Sequence, residues 1–277
     1  MSGTGPDGTP PDGTAPDGTV LDDLLALAGE LALRAGALVR EGRRRGDLGA
    51  DTKSSSTDVV TVYDRASEEL IVGELRRHRP DDGLLGEEGA EQDGTTGVRW
   101  LIDPIDGTTN YLYDLAGYAV SIAAEDDEGG LVGAVYLPAT DELFTAQRGG
   151  GARCNGATIR CSELTDVRTA LVGTGFGYTP ERRAAQGARA ARLLPSIRDI
   201  RRFGAAAADL CYVAAGRLDG YYEQYLNPWD VAAGTLIARE AGAVVSTFAG
   251  SPGEPNGLLA APPALCNALR TLVVDAG

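Results

Sequence analysis

The 277-residue sequence contains a single histidine, His78, and this scarcity argues against most mechanisms that depend on histidine. A Ser-His-Asp triad, a Cys-His pair and a phosphohistidine intermediate each need a histidine at the reacting group. His78 lies in a charged segment before Pro80, where we expect a surface position at a helix end. A zinc site is not expected either, because the four cysteines are widely spaced and form no CxxC pair. They are Cys154, Cys161, Cys211 and Cys266.

The sequence also lacks a long apolar run, a basic stripe and a secretion signal. Without a run of about 18 apolar residues, no membrane-spanning helix is expected, and the first residues lack the basic and apolar regions of a signal peptide. The densest basic cluster, Arg43–Arg45, is too short to indicate nucleic-acid binding. Unpaired cysteines predict a cytoplasmic protein. The net charge of -15 fits either plain solubility or a site that uses metal cations to accept an anionic substrate.

A low-complexity segment and a glycine run divide the chain. Residues 1–19 repeat Pro-Asp-Gly-Thr three times and have almost nothing to bury, which predicts a disordered tail. The glycines Gly149–Gly151 are the predicted border between two subdomains. We therefore predict an N-terminal α+β subdomain over residues 20–149, which carries the functional site, and a C-terminal α/β subdomain over residues 150–277, which completes it.

Hydrophobic periodicity predicts a mixed α/β fold. Apolar residues recur at helical spacing from Leu21 to Leu38, and Gly42 together with Arg43–Arg45 is predicted to end this first helix. Further helices are predicted at 64–77, 180–194, 204–216, 230–241 and 263–272. Strands are predicted at 83–88, 99–102, 118–124, 131–138, 142–148, 170–174, 219–223, 243–246 and 258–260. The three strands between 118 and 148 should form an antiparallel meander, and the sheets should be layered between helices.

The segment Asp103–Thr108, with the sequence Asp-Pro-Ile-Asp-Gly-Thr, carries the strongest chemical signal. Two carboxylates follow a buried strand, and the intervening proline fixes one backbone angle. The carbonyl of Ile105 can face the same point as both acids, and such hard oxygen ligands suit magnesium. The backbone N–H groups of Gly107 and Thr108 are available to a phosphate. Taken alone, the segment is also compatible with an acidic turn closed by an Asx cap.

Two other acids are predicted at the ends of secondary-structure elements. Glu87 follows Gly86 at a strand end, and Asp230 stands at a helix start after Trp229. An aspartate at a helix start is more often a cap than a ligand, so Asp230 alone indicates little. Three acidic element ends in one α/β chain nevertheless favour a shared site over three unrelated caps.

These motifs resemble the inositol monophosphatase family. The resemblance covers the chain from about Leu21 to its end and includes the polar segment before Asp64. Its most specific strings are Gly86–Glu88, Trp100–Asn110, Trp229–Gly234, Lys53–Ser55 and Asp58–Thr61. It implies the layered αβαβα sandwich of sugar phosphatases. It also implies a magnesium-dependent, lithium-sensitive phosphoric monoester hydrolase that acts on a small phosphomonoester and is commonly a homodimer.

The resemblance implies two or three magnesium ions in one site. Glu87, Asp103 and the carbonyl of Ile105 would hold the first ion. Asp103, Asp106 and Asp230 would hold the second. A third, weaker ion would lie near Glu87 with mostly water ligands. No phosphoenzyme is implied, which agrees with the scarcity of histidine.

The resemblance also implies catalytic and substrate-binding roles. Asp64 would accept a hydrogen bond from Thr108, and the pair would orient and help to deprotonate the attacking water, with Glu87 as a further catalytic group. Lys53 would lie on a loop that closes over the site. The implied substrate-binding residues are Asp106, Gly107, Thr108, Ala206 and Glu223.

The substrate stays open at this point. Inositol 1-phosphate is expected first and histidinol phosphate second, because Glu223 could meet either a hydroxyl or an amine. Fructose 1,6-bisphosphate and 3′-phosphoadenosine phosphate are expected less, since the sequence shows no obvious basic cluster for the second phosphate of the latter. The segment Gly173–Gly177 is glycine-rich where animal members of the family carry polar side chains. A non-catalytic interaction protein on this scaffold would have lost ligands, and all of them are present.

Overall fold

The computed structural model describes residues 18–46, 48–52, 59–250 and 255–275. The predicted tail therefore lies almost entirely outside the described residues, and so does Lys53 with its predicted loop. The first helix begins at Gly18, within the last two residues of the range predicted as tail.

The described residues form seven α-helices, fifteen strands and two short 3-10 helices. The helices are α1 (Gly18–Arg45), α2 (Val62–His78), α3 (Thr108–Leu112), α4 (Pro180–Leu193), α5 (Ala206–Ala214), α6 (Pro228–Glu240) and α7 (Pro263–Asp275). The first ten strands are β1 (Asp51–Thr52), β2 (Val59–Val60), β3 (Gly83–Gly86), β4 (Glu91–Gln92), β5 (Arg99–Asp106), β6 (Ala119–Asp126), β7 (Gly129–Leu137), β8 (Glu142–Gln147), β9 (Gly151–Cys154) and β10 (Ala157–Thr158). The last five are β11 (Leu171–Thr174), β12 (Asp199–Arg201), β13 (Gly220–Gln224), β14 (Val244–Phe248) and β15 (Gly257–Ala261).

Two large sheets alternate with three helical layers. The first has eight strands in the order β10-β9-β8-β7-β6-β5-β3-β4, and the second has five in the order β12-β11-β13-β15-β14. Helices α1 and α2 contact the outer face of the first sheet, while α5 and α6 contact both sheets from the space between them. Helix α7 covers the remaining face of the second sheet and contacts α4. The predicted αβαβα fold is confirmed.

Alternation along β5 explains why the first sheet has helices on both faces. Successive side chains of a strand point to opposite faces. Trp100 and Ile102 pack into the core beneath α1 and α2, while Leu101 between them packs into the core shared with α5 and α6. All three are almost fully buried. A strand that is apolar on both sides must be covered on both sides, and this places its carboxyl end deep between the layers.

The first helix ends where predicted, because helix α1 stops at Arg45. Gly42 itself lies inside the helix. A side chain at Gly42 would overlap the ring of Tyr63, in the first turn of the neighbouring helix. The glycine therefore permits close packing of α1 against α2 and does not stop the helix.

Other predicted elements agree more closely with the structure. The antiparallel meander of β6, β7 and β8 is confirmed. Strand β5 is longer than predicted and runs through Asp106. The first sheet also continues beyond the glycine run, because β9 and β10 extend it to Thr158. The change from one sheet to the other thus falls after Thr158 and not at residue 150. The division into two subdomains stays a prediction.

Candidate active site

A cavity of about 370 Å³ lies where β3, β5 and β13 end and α5 and α6 begin. Most of the residues predicted for the site line this one cavity. They are Glu87, Asp103, Ile105, Asp106, Gly107, Thr108, Ala206, Glu223 and Asp230. Asp64 lies behind Thr108 and is fully buried. The fold thus brings together segments that are more than one hundred residues apart.

The carboxyl end of β5 is irregular, and this irregularity turns its acids toward the cavity. The pairing with β6 shifts register between Asp103 and Asp106. The backbone N–H of Ile105 donates to Asp103 Oδ1 over 3.1 Å. Gly107 then takes φ 84°, in the left-handed region, and a side chain there would come within 2.7 Å of the Gly117 carbonyl. Only glycine fits this backbone turn without strain.

Asp64 and Thr108 form the predicted hydrogen-bonded pair. Thr108 Oγ1 lies 3.0 Å from Asp64 Oδ1 and 3.0 Å from the carbonyl of Ile105, so its one proton has two acceptors. Thr61 donates to Asp64 Oδ2 through its backbone N–H at 2.8 Å and its hydroxyl at 2.6 Å. Burial outweighs these hydrogen bonds and raises the pKa of Asp64 to about 6.

Four carboxylates lie close together in the cavity and form its acidic end. They belong to Glu87, Asp103, Asp106 and Asp230. Burial first, and then the charge of Glu87, raises the pKa of Asp103 well above its ordinary value. The pKa of Asp106 is raised by burial and by Asp230, against the effect of a backbone N–H from Ala207 at 2.7 Å. Asp230 Oδ2 also accepts from the backbone N–H of Asn227 at 2.7 Å. Asp230 is therefore a helix cap and a cavity residue at once, so the two interpretations do not exclude each other.

Glu223 lines another part of the same cavity. Tyr221 Oη donates to Glu223 Oε2 over 2.6 Å, and burial raises the pKa of this carboxyl to about 7. A side chain at Gly175 would overlap the Glu223 carboxylate. Gly175 belongs to the glycine-rich segment Gly173–Gly177, for which the sequence alone did not identify the substrate. The absence of a side chain at Gly175 leaves room for the Glu223 carboxylate.

Two arginines that line the cavity were missed by sequence reasoning. Arg182 comes from the first turn of α4, and Arg202 from the loop before α5. Phe176, Tyr178 and Tyr225 line the same region, and the Arg182 guanidinium lies 4.2 Å from the centre of the Tyr225 ring. No local motif joins these residues, because only the packing of α4 and the strand ends brings them together.

A comparison with known families agrees with this geometry. The model of the inositol monophosphatase family matches residues 20–275. The chain belongs to this family. It is a phosphoric monoester hydrolase, and the family it belongs to is metal-dependent.

Individual relatives of this inositol monophosphatase family protein carry two kinds of name. An inositol-1-monophosphatase of Mycobacterium leprae is 43% identical over 268 residues, which cover 90% of this chain and 92% of the relative. A Nus factor SuhB of Pasteurella multocida is 42% identical over 232 residues, covering 83% of this chain and 87% of the relative. The crystal structure of the extragenic suppressor protein suhB from Bartonella henselae superposes with a TM-score of 0.85 at 35% identity, covering 91% and 98% of the two chains.

The donor set of this family member fits a hard divalent cation. The carboxylates at the acidic end and the carbonyl of Ile105 offer oxygen, which is the ligand type that magnesium prefers. Burial first, and then repulsion between carboxylates, raises the pKa values of Asp103 and Asp106, and a cation would offset that repulsion. No three His, Cys, Asp or Glu side chains in the described ranges converge closely enough to enclose an ion as they stand. The individual ligands therefore stay a prediction.

No helix among residues 18–46, 48–52, 59–250 and 255–275 has the length and apolar character of a membrane span.

The raised pKa values predict an unusual pH dependence of stability in the metal-free protein. An acid whose folded-state pKa is raised stabilises the fold below its unfolded pKa and loses that contribution as pH rises through the folded pKa. The pKa of Asp64 rises from 3.8 to about 6 and that of Glu223 from 4.5 to about 7, which places this loss between about pH 4 and 7. Glu74, whose ion pairs lower its pKa to about 2, stays ionised throughout this window and does not offset the loss.

In the presence of a chelator, we therefore expect a higher Tm near about pH 5.5 than near about pH 8. Added magnesium should raise the Tm at the higher pH, because a ligand that binds only the folded state stabilises it. Thermal unfolding followed by circular dichroism would measure both effects. A Tm in chelator that rises from the lower to the higher pH would contradict the prediction.

Proposed function

We propose that this family member hydrolyses a small phosphate monoester with magnesium, and that inositol 1-phosphate is its first substrate. The observation that carries this proposal is the single cavity that is lined by the carboxylate cluster, by Thr108 with its hydrogen bond to Asp64, and by Glu223. A phosphate bound at the acidic end would leave the polyol ring facing Glu223. The cavity volume of about 370 Å³ fits a ligand of this size.

The proposed roles follow from the position of each group. Two or three magnesium ions would be held by Glu87, Asp103, Asp106, Asp230 and the carbonyl of Ile105. Bound there, they would lower the pKa of a water molecule and stabilise the leaving oxygen. Thr108 Oγ1 would hold the attacking water, and Asp64 would take up its proton. A carboxylate with a pKa near 6 is well matched to that task at neutral pH.

The substrate is positioned by groups on both sides of the reacting phosphorus. We propose that the backbone N–H groups of Gly107 and Thr108 contact the phosphate, next to Asp106. Ala206, at the first turn of α5, would close one side of the cavity, and its exposed fraction of 6% leaves room only for a contact. Lys53 would act from the loop before β2, which lies outside the described residues.

The positive charges that line the cavity together with Glu223 favour a polyol over histidinol phosphate. Glu223 alone fits either a hydroxyl or an ammonium group. Arg182 and Arg202 line the same cavity and add positive charge that opposes an ammonium group. The same arginines make bisphosphates the second substrate class to test, although no basic cluster is obvious in the sequence.

A rate comparison on four substrates tests the proposal. Purified protein is assayed for phosphate release from inositol 1-phosphate, histidinol phosphate, fructose 1,6-bisphosphate and 3′-phosphoadenosine phosphate, with magnesium and with chelator. We expect the highest kcat/KM for inositol 1-phosphate, loss of activity in chelator, and inhibition by lithium. A folded protein that turns over none of the four would support the non-catalytic interaction role instead.

Replacement of Glu223 by glutamine is expected to affect substrate recognition more than chemistry. The change removes the charged acceptor and disturbs its hydrogen bond from Tyr221. A hydrogen bond to a charged group contributes about 1.5–3 kcal/mol, which corresponds to roughly a tenfold to hundredfold rise in KM for inositol 1-phosphate. The kcat for p-nitrophenyl phosphate, which lacks the polyol hydroxyls, should stay near the wild-type value. Equal losses on both substrates would contradict the assignment.

Two further features are part of the proposal. We propose a homodimer, because relatives are commonly homodimers, and size-exclusion chromatography with light scattering would measure the mass in solution. We also propose a cytoplasmic location, because all four cysteines of the chain are unpaired, as is usual in reducing compartments.

A further inference from the structure

One face of helix α2 is polar although it is buried. Asp64, Ser67 and Glu68 are 0%, 0% and 5% exposed and lie three and four residues apart, on the same side of the helix. Polar side chains in such positions destabilise a fold unless they are hydrogen-bonded. Each of the three bonds to a different segment of the site. The Ser67 hydroxyl, for example, donates to the carbonyl of Pro104 over 3.0 Å.

Glu68 makes two hydrogen bonds that have no role in the proposed mechanism. Its Oε2 accepts from the backbone N–H of Glu88 at 2.8 Å, and its Oε1 accepts from the backbone N–H of Ala90 at 2.9 Å. These amides belong to the turn between β3 and β4, which begins with Glu87. A side chain at Gly86 would overlap the Glu68 carboxylate, so the glycine leaves the carboxylate room to reach the turn.

Backbone hydrogen bonds also hold the turn. The N–H of Gly86 donates to the carbonyl of Ala90 over 2.7 Å, that of Glu87 to the carbonyl of Ile102 over 3.1 Å, and that of Gly89 to the carbonyl of Gly86 over 3.4 Å. The bidentate contact from Glu68 adds two charge-assisted hydrogen bonds, which are stronger than bonds between neutral groups. The position of the Glu87 side chain in the cavity therefore depends on α2.

We propose that Glu68 is a positioning residue that sets the magnesium affinity of the site by fixing the turn that carries Glu87. The inference rests on the proposed function, in which Glu87 binds a cation. Groups that orient metal ligands typically change metal affinity by about 10–100-fold when they are replaced. Glu68 acts through the backbone of the turn and does not touch the cation or the substrate.

The test compares Glu68→Gln with Glu69→Gln. Both changes remove one negative charge from adjacent positions of α2. Glu69 is exposed and makes no hydrogen bond to the turn, although it borders the same surface pocket as Glu88 and Ala90. Glutamine at position 68 can still accept one of the two hydrogen bonds, so we expect about a tenfold weaker Kd for magnesium. Calorimetric titration of the protein with magnesium chloride measures this directly. The activity at saturating magnesium should change by less than about threefold, because the ligands themselves are intact.

Glu69→Gln should bind magnesium like the wild type. Equal magnesium affinity of Glu68→Gln and Glu69→Gln would overturn the inference, and so would a loss of thermal stability without a change in affinity. If Glu68→Gln does not fold, Glu68→Asp keeps the charge but is too short to reach both amides, and the same weakening is expected. A wild-type protein that binds magnesium but hydrolyses none of the four substrates would overturn the proposed function, while the contrast between the two variants would still support the role of Glu68.

Discussion

Asp103→Asn is expected to lower kcat by about 10³-fold or more while leaving the metal-free fold at least as stable as the wild type. Asp103 is proposed to be a ligand of two cations, and each cation contributes several kcal/mol to the stabilisation of charge in the transition state. At 1.36 kcal/mol for each factor of ten, the loss of a shared ligand corresponds to at least about three orders of magnitude.

The expected stability follows from the surroundings of the same carboxylate. Asp103 is 2% exposed, and burial together with the charges of Glu87, Asp106 and Asp230 raises its pKa. Asparagine has nearly the same shape and keeps an oxygen acceptor for the backbone N–H of Ile105. The substitution thus removes a repelled charge without opening a cavity, so the chelated variant should unfold at the same temperature or a higher one.

The measurement combines steady-state kinetics with thermal unfolding in chelator. Asp127→Asn is the matched control, because Asp127 is an exposed aspartate in the turn between β6 and β7, away from the cavity. The control should leave kcat unchanged. If Asp103→Asn retains activity within about tenfold of the wild type, Asp103 does not bind the cations.

The sequence predicted the site best where its residues are contiguous. The segment Asp103–Thr108 follows a strand whose apolar residues fill both faces, so its position at a buried strand end could be read from the pattern alone. Glu87 and Asp230 were found because each marks the end of an element. Their meeting with Asp103 in one cavity could not be derived from spacing, and the family resemblance supplied it.

The residues that were missed owe their positions to packing between distant elements. Arg182 and Arg202 reach the cavity only because α4 and the loop before α5 fold over the end of β13. Glu68 has the sequence signature of an ordinary helix surface residue, and its burial depends on the turn after β3. Gly42 was grouped with Arg43–Arg45 at the helix end for a related reason, since a glycine that permits close helix packing looks the same in sequence as one that ends a helix.

Asp64→Asn and Thr108→Val are expected to lower kcat by similar factors, of about 10²–10⁴ each. The two side chains are proposed to act as one unit, because Thr108 Oγ1 lies 3.0 Å from Asp64 Oδ1. Asparagine at position 64 cannot take up a proton at neutral pH. Valine at position 108 keeps the shape of threonine but has no hydroxyl to hold the water.

The double variant should be no slower than the slower single variant, since residues of one catalytic unit show non-additive losses.

Thr108→Ser retains the hydroxyl and should recover most of the activity, and Thr109→Val, at the exposed neighbouring position, should stay near the wild type. None of these variants should raise the calorimetric Kd for magnesium as much as the replacement of a ligand, because neither Asp64 nor Thr108 is among the proposed ligands. Losses that multiply in the double variant would mean that the two residues act separately. The hydroxyl proton of Thr108 would then be directed to the carbonyl of Ile105, which lies at the same distance of 3.0 Å.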